Sequence, residues 1–499
     1  MPDFRAPRRP DNPVEQQSGG QRPTFFVLGL LLSALAVLMG LSGLIGLLAH
    51  RAAGAFFESA VLTLLVGGVL MATCRPTGAI VLRRKGAFFL TALAWTVLPG
   101  FGALPLVFGE VHLSFADAYF EAVSGLTTTG STVLSGLQDL PIVVAVWRAL
   151  LQWMGGVGII VMGIALLPLL RSGAMQLYRS ESSDTSDKPF PRAKAVAGAV
   201  SSIYLSLTLA CTILFWYGGM TFLDALIHAM TTLSTGGFST HDNSFAAFQG
   251  TSLPWIAIIF MLLGGTPFVL FIRLSRRDPE PLLQDRQLRL LLFTVISAAV
   301  VMAGYRAWND GVAFTTGFSE ALFNVVSVVT TTGFAMGDYS QWGALPVVLF
   351  FFLTFLGGGT GSTAGGFKLM RVLILWEAAR IFLVRAIYPH RVVLAKIQDR
   401  AIDEDILFGT LGFASLWVVT WAALSLALSV TGLDLVTSLS GAATALANVG
   451  PGLGDIIGPV GNFQSLPDTA KWLLSIGMVA GRLELLTLLV VLMPTFWRE

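Results

Sequence analysis

The sequence predicts an all-α membrane protein in which four parallel span–short helix–span repeats surround a central pore, with two extra spans at the amino terminus. Three observations carry this reading: a shortage of charge, a one-sided placement of the charge that remains, and a motif that returns four times. Of 499 residues, 54% are hydrophobic and only 12% charged. A water-soluble domain carries about 25% charged residues. The 53 glycines and 12 tryptophans suit membrane helices that pack closely through small residues and are anchored by aromatic ones.

Residues 1–23 are polar and rich in Arg and Pro, and read as a disordered tail. The apolar run behind them is too long for a cleaved signal peptide. A membrane helix needs about 20 mainly apolar residues. Ten stretches qualify, near 25–49, 55–73, 86–108, 142–170, 195–217, 252–272, 290–305, 345–367, 406–430 and 470–494. Four shorter apolar stretches lie between them, near 115–128, 222–235, 318–331 and 435–448. Each is too short to cross a bilayer, so each is expected to re-enter or to lie in the interface. Cys74 and Cys211 make no disulfide framework, and the five scattered histidines have no metal-ligand spacing.

Lys and Arg orient the spans. Arg5, Arg8, Arg9 and Arg22 precede the first span. Arg75, Arg83, Arg84 and Lys85 follow the second. Further clusters run from Arg171 to Lys194, from Arg273 to Arg289 and from Lys368 to Arg400, and Arg498 follows the last span. The alternate loops hold only Arg51, Arg306 and Lys471. Both termini are therefore expected in the cytoplasm. The outer loops collect acids, among them Asp117, Glu121, Asp224, Glu320 and Asp434. Most read as ordinary solvated loop residues, and as a group they would concentrate cations at an outer mouth.

The short stretches share one pattern: Asp117…Thr128-Thr129-Gly130, Asp224…Thr235-Gly236-Gly237, Glu320…Thr331-Thr332-Gly333 and Thr437…Asn448-Val449-Gly450. In each, the final glycine follows the first position named by 13 residues. Gly155-Gly156, Gly264-Gly265 and Gly357-Gly358 sit 24 to 28 residues beyond their loop glycines, and Gly481 sits 31 beyond. Two spans per unit keep every copy in one orientation, so the copies are related by an axis along the membrane normal. The expected division is 1–80 for the tail and extra spans, then repeats at 81–178, 179–280, 281–400 and 401–499.

Four such units place the carboxyl ends of four short helices, the negative ends of their dipoles, toward one axis. Extended backbone through the loop residues then offers rings of carbonyl oxygens that replace a cation's hydration shell. Glycine supplies the positive φ of the turn. Non-helical backbone at membrane depth is tolerated where it lines a wet cavity or is buried in protein. The twelve loop residues just named are thus the candidate cation site.

These motifs resemble the Trk/Ktr/HKT superfamily of potassium transport proteins, the TrkH branch most closely. The resemblance rests on Trp147-Arg148-x-x-x-Gln152-Trp153-x-Gly155-Gly156-x-Gly158, on the run from Gly357 to Lys368, on Asn448-Val449-Gly450-Pro451-Gly452-Leu453-Gly454, and on Gly481-Arg482-Leu483-Glu484 with Pro494-Thr495-Phe496-Trp497. It covers residues 25–499. It implies a potassium-translocating subunit, symporter or gated channel, in a bacterial inner membrane. It further implies a homodimer with one pore per subunit and a cytoplasmic nucleotide-binding regulatory subunit, TrkA-like. K+ would be the transported ion, with no organic cofactor in this chain. Superfamily members with serine in the first loop tend to admit sodium, so Gly130 favours potassium. Asn448-Val449-Gly450 makes the expected ion site asymmetric.

The third unit's span is expected to break after Phe355-Leu356. Gly357, Gly358, Gly359, Gly361, Gly365 and Gly366 are each costly in a helix interior, by about 1 kcal/mol relative to alanine. Arg482 stands at the matching depth of the fourth unit, with Glu484 as a nearby but poorly spaced partner. Loop and Arg482 together form the expected gate, and the resemblance implies the same roles. Residues 368–400 alternate basic and apolar positions and read as an interfacial amphipathic helix that could also dock the regulatory subunit. Gly359-Thr360-Gly361-Ser362-Thr363-Ala364 mimics a dinucleotide fingerprint, but no strand precedes it. No nucleophile–base arrangement supports an intramembrane hydrolase, and nothing points to nucleic acid. Parallel repeats argue against a transporter of two inverted halves. The alternative function is the potassium-binding subunit of an ATP-driven pump, which shares a four-unit pore.

Overall fold

The computed structural model describes residues 21–49, 53–76, 82, 84–166, 189–391, 396–397 and 400–498. Most of the expected tail, and the basic positions Arg171, Arg179 and Lys188, lie outside them. Helices α1 (Arg22–Leu48) and α2 (Gly54–Thr73) run side by side. Gly29 and Gly67 bring their backbones together: a Cβ at Gly29 would stand 2.7 Å from the Gly67 carbonyl. This pair packs outside the first repeat, on its first span.

That repeat comprises α3 (Arg84–Gly102), continued by α4 (Leu104–Phe108), then the short α5 (Phe115–Leu126) and α6 (Ile142–Leu166). The second comprises α7 (Pro189–Tyr217), α8 (Phe222–Leu233), α9 (Leu253–Gly264) and α10 (Phe268–Ser275). In the third stand α11 (Arg286–Asn309), α12 (Phe314–Val329), α13 (Ala344–Phe355) and α14 (Leu369–Ile387). The fourth has α15 (Glu404–Val430), α16 (Leu435–Ala447), α17 (Asp468–Arg482) and α18 (Leu486–Leu492). The short helices α5, α8, α12 and α16 fall where the four semi-polar stretches were read. Their starts are set locally. The Ser114 and Thr221 hydroxyls accept from the Asp117 and Asp224 N–H groups, and the Asp434 carboxylate caps α16.

The repeats close into a ring. Helix α6 packs on α8, α9 on α12, α13 on α16, and α17 back on α5. Each unit's second helix thus leans on the next unit's short helix, and the fourth returns to the first. Two large apolar clusters fill the spaces, one through repeats two and three and one through the amino-terminal spans with repeats one and four.

Among the described residues, seven helices are long and apolar enough to cross a membrane, and two bent pairs bring the count to nine. The expectation of continuous spans at 252–272 and 470–494 is corrected. Helices α9 and α10 meet at 93°, and α17 and α18 at 110°. The first bend falls at Gly264-Gly265-Thr266-Pro267, where proline lacks the N–H a helix needs. The second falls at Glu484 and Leu485, both at positive φ (54° and 53°). The stretch at 345–367 is broken too: α13 ends at Phe355, as expected, and α14 begins only at Leu369. The helix expected over 368–400 stops at Ile387, ahead of Pro389. Beyond it lies a two-residue antiparallel pair, β1 (Lys396–Ile397) with β2 (Arg400–Ala401).

Candidate functional site

The four glycine loops share one backbone. Thr128, Thr235, Thr331 and Asn448, each within two residues of the end of its short helix, lie at φ 53°, 52°, 56° and 55°. Two residues on, Gly130, Gly237, Gly333 and Gly450 lie at φ 89°, 76°, 83° and 110°. The first loop residue is therefore left-handed and not extended as the sequence suggested. Asparagine tolerates this region far better than threonine, which accounts for the fourth loop's departure in the sequence. A β-branched residue held there costs of order 1–3 kcal/mol and needs the surroundings to enforce it.

The glycines also show how the loops meet. A Cβ on Gly130 would run into the carbonyl of Gly236, one on Gly237 into that of Thr332, and one on Gly333 into that of Val449. At Gly450 it would face the carbonyl of Thr129. The contacts run from loop to loop in order and close on themselves. The last two residues of each predicted loop are thus brought together in one ring, with the Thr129, Gly236, Thr332 and Val449 carbonyls at equivalent places, and Thr128, Thr235, Thr331 and Asn448 stand one residue before it in each loop.

Behind the ring, α6 supplies side chains to which the sequence motif gave no role. Arg148 is buried and donates its Nε to Glu121 (2.7 Å), and its Nη groups to the Ser239 carbonyl (3.2 Å) and the Thr132 hydroxyl (3.2 Å). Its guanidinium lies 4.0 Å from the centre of the Phe238 ring. Glu121 also accepts from the Val133 N–H at 2.9 Å. One buried ion pair therefore ties the return strands of loops one and two. At the equivalent place in loop three, Asn324 bridges the Met336 N–H and carbonyl (2.8 and 3.0 Å). In loop four the Ser440 hydroxyl accepts from Leu453 N–H at 3.0 Å. Gln152 reaches from α6 to both the Gly236 carbonyl (2.6 Å) and the Phe238 N–H (3.1 Å).

The run Gly357–Gly366 folds across loops two and three. The Gly359 and Thr363 N–H groups donate to the Gly265 and Gly264 carbonyls (2.8 and 3.2 Å), and Gly361 accepts from Phe268 N–H (3.1 Å). It touches the ring itself: Thr363 Oγ1 lies 3.2 Å from Thr235 Oγ1, and the Gly365 N–H donates to Thr331 Oγ1 at 2.7 Å. Glycine is required at Gly357, Gly358 and Gly365, where a Cβ would collide with backbone. Arg482 is buried beside this run and donates Nη1 to the Thr363 carbonyl at 2.9 Å. Its Nε and Nη2 are buried without a hydrogen-bond partner among the described residues. Glu484 is not the partner of Arg482, a correction of the expected pairing. It takes Arg371 of α14 instead, at 2.5 Å, because the bend after Arg482 turns it toward that helix.

The outer acids do less cation-gathering than their number suggested. Asp117 pairs with the buried Lys471 (2.5 Å), and Glu320 with Arg306 (2.5 Å). Glu121 is spent on Arg148, the Asp224 carboxylate accepts from the Thr221 and Thr240 hydroxyls (3.2 and 3.0 Å), and Asp434 caps α16. The Thr437 hydroxyl and the N–H groups of Val436 and Thr437 hold the Asp434 carboxyl below the usual carboxylate range.

Residues 52–498 match the TrkH family, described as cation transport protein. The Trk system potassium uptake protein TrkI of Halomonas elongata is 44% identical, over 96% of this chain and 97% of its own length. The Trk system potassium uptake protein TrkH of Escherichia coli K12 is 37% identical, over 95% of this chain and 98% of its own. Among solved structures, the crystal structure of the potassium transporter TrkH from Vibrio parahaemolyticus superposes with a TM-score of 0.88. That chain is 35% identical, and the match covers 96% of this chain and 99% of the other.

Proposed function

We infer the function from one premise: the chain belongs to the TrkH family of cation transport proteins. It is the membrane subunit of a Trk potassium uptake system and carries K+ through its own four-repeat pore. The single observation that supports this most is the closed ring of loop carbonyls in a chain that matches potassium uptake proteins along nearly their whole length. The filter is formed by Thr128-Thr129-Gly130, Thr235-Gly236-Gly237, Thr331-Thr332-Gly333 and Asn448-Val449-Gly450, whose carbonyls substitute for water around the ion.

The gate is the run Gly357–Gly366 with Arg482. A buried guanidinium with two nitrogens unpartnered among the described residues, beside the pathway, repels a cation, and the glycine run that holds it is a poor helix and a ready hinge. The chain resides in a bacterial inner membrane with both ends in the cytoplasm, works as a homodimer, and is controlled by a cytoplasmic nucleotide-binding subunit. The named relatives are Trk uptake proteins, and nothing among them favours the pump subunit.

The test is ion flux in liposomes holding the purified chain, with and without its regulatory subunit. Potassium flux well above sodium flux is expected, rising when the nucleotide-loaded partner is added. Equal flux of both ions, or none with the partner present, contradicts the proposal. Cysteines at Ser180 (outside the described residues) and Glu280 should label only from the cytoplasmic side, and labelling from outside would overturn the orientation.

A further inference from the structure

We propose that Gln152 is a specificity-setting residue, whose side chain stands in for the one the second loop lacks and fixes the aim of the Gly236 carbonyl. This rests on the four loops being the filter. The residue before the ring glycine is Thr129, Gly236, Thr332 and Val449 in the four loops. In loops one and three this threonine is held from behind. Thr129 Oγ1 lies 2.7 Å from Thr127 Oγ1, and Thr332 Oγ1 lies 2.8 Å from Thr330 Oγ1. Loop four presents a buried valine there, and its Asn448 amide donates to Thr129 Oγ1 (3.0 Å) and to the Met478 carbonyl (2.9 Å).

Loop two has no side chain at this place, and the space is not vacant. A Cβ built on Gly236 would lie 2.5 Å from Gln152 Oε1 and 2.8 Å from Nε2. Gln152, itself fully buried, reaches in from the first repeat and grips the loop on both sides of Gly237. Its Nε2 donates to the Gly236 carbonyl (2.6 Å), and its Oε1 accepts from the Phe238 N–H (3.1 Å). Glycine at 236 and glutamine at 152 are therefore one unit. The hydroxyl partner that loops one and three use also has a counterpart in loop two, since Ser234 stands where Thr127 and Thr330 stand.

The consequence concerns the ring. The Gly236 carbonyl is the one that faces Gly130. A buried N–H donor sets its direction and polarises it. Selectivity in a carbonyl filter depends on how many such dipoles face the ion and how strongly. Gln152 is thus a positioning residue for one quarter of the filter, supplied across the boundary between repeats.

The test is a double-mutant cycle on the full chain, read as the ratio of potassium to sodium flux in liposomes. Gln152→Ala leaves the carbonyl unaimed, and Gly236→Thr collides with Gln152. Each is expected to lower the ratio about tenfold. The double variant Gln152→Ala with Gly236→Thr makes room for the threonine and offers it Ser234, so it should recover most of the ratio. If a single variant fails to fold, the double variant is still read by its ratio. Singles that keep the parent ratio overturn the proposal, and so does a double variant that folds without recovering the ratio. Gly130→Ser is measured alongside. If it shifts the ratio while the cycle is flat, the filter reading stands and the role of Gln152 falls. If Gly130→Ser is also silent, the filter reading itself has failed.

Discussion

The four loops at the ring share one backbone, whereas the four second helices beneath them meet four different ends. Positive φ recurs at the same two places in every loop. Below, α6 runs unbroken through its described residues, α9 bends at a Gly-Gly-Thr-Pro, α13 gives way to a glycine run, and α17 turns at Arg482-Leu483-Glu484. The glycine pairs common to the first three repeats do not by themselves break anything. In α6, Gly155 and Gly156 stay helical and serve for close approach, since a Cβ on Gly155 would strike the Leu126 carbonyl. A break needs something more: a proline, a longer glycine run, or a strained charged hinge. A site that surrounds one ion needs like parts, and a gate can be built from a single unlike one.

Variants can separate the two levels. The largest expected effect is on folding at the ring. Arg148→Met leaves Glu121 buried and unpaired, which costs about 3–5 kcal/mol. Thermal unfolding in detergent should fall well below the parent, and an unchanged midpoint would show that the ion pair does not hold the loops. Next comes the proposed gate. Arg482→Ala removes the buried charge, and shortening Gly357–Gly366 removes its support. Either should raise resting potassium flux by up to about a hundredfold, the factor that about 2.7 kcal/mol of barrier makes. Resting flux at the parent level in both, with ring selectivity intact, would place the gate elsewhere. Then comes Gly130→Ser, which puts a side chain at φ 89° against the Gly236 carbonyl. The potassium-to-sodium ratio should fall about tenfold while resting closure is unaffected.

The smallest effect is at a cap. Asp434→Ala should cost about 1 kcal/mol, and Asp434→Asn much less. The folded-state pKa of Asp434 is lowered, so its contribution is complete above the ordinary aspartate value of about 4. It is lost as pH falls through the lower folded value. A stability difference between parent and Asp434→Ala that does not shrink in acid would remove the carboxylate from the account.

The ring was legible in the sequence because its demands are local: a short apolar helix, then a glycine that tolerates positive φ, repeated at one spacing. The break after Phe355 was legible for the same reason, as Gly357 to Gly366 are poor helix. The bend at Leu483–Leu485 was not, because Gly481-Arg482-Leu483-Glu484 reads as ordinary helix and the partner the bend brings to Glu484, Arg371, is 113 positions away. Gln152 and Arg148 stood in a recognised motif, yet Gln152 works wholly on another repeat, at Gly236 and Phe238, and Arg148 joins Glu121 and Thr132 of its own repeat to Ser239 of the next. No spacing within one repeat announces a contact made on the next. Asp117, Glu121 and Glu320 looked solvated like the other outer acids until Lys471, Arg148 and Arg306 claimed them, whereas Glu110, Asp139, Asp242 and Asp455 are exposed as read.

The most direct test of the ring is where the ion sits. Crystals of the chain soaked in a thallium salt, as a strongly scattering stand-in for potassium, should give an anomalous peak encircled by the carbonyls of Thr129, Gly236, Thr332 and Val449. A peak held by the side chains of other residues, or no peak within the ring beside clear ones elsewhere, would contradict the account.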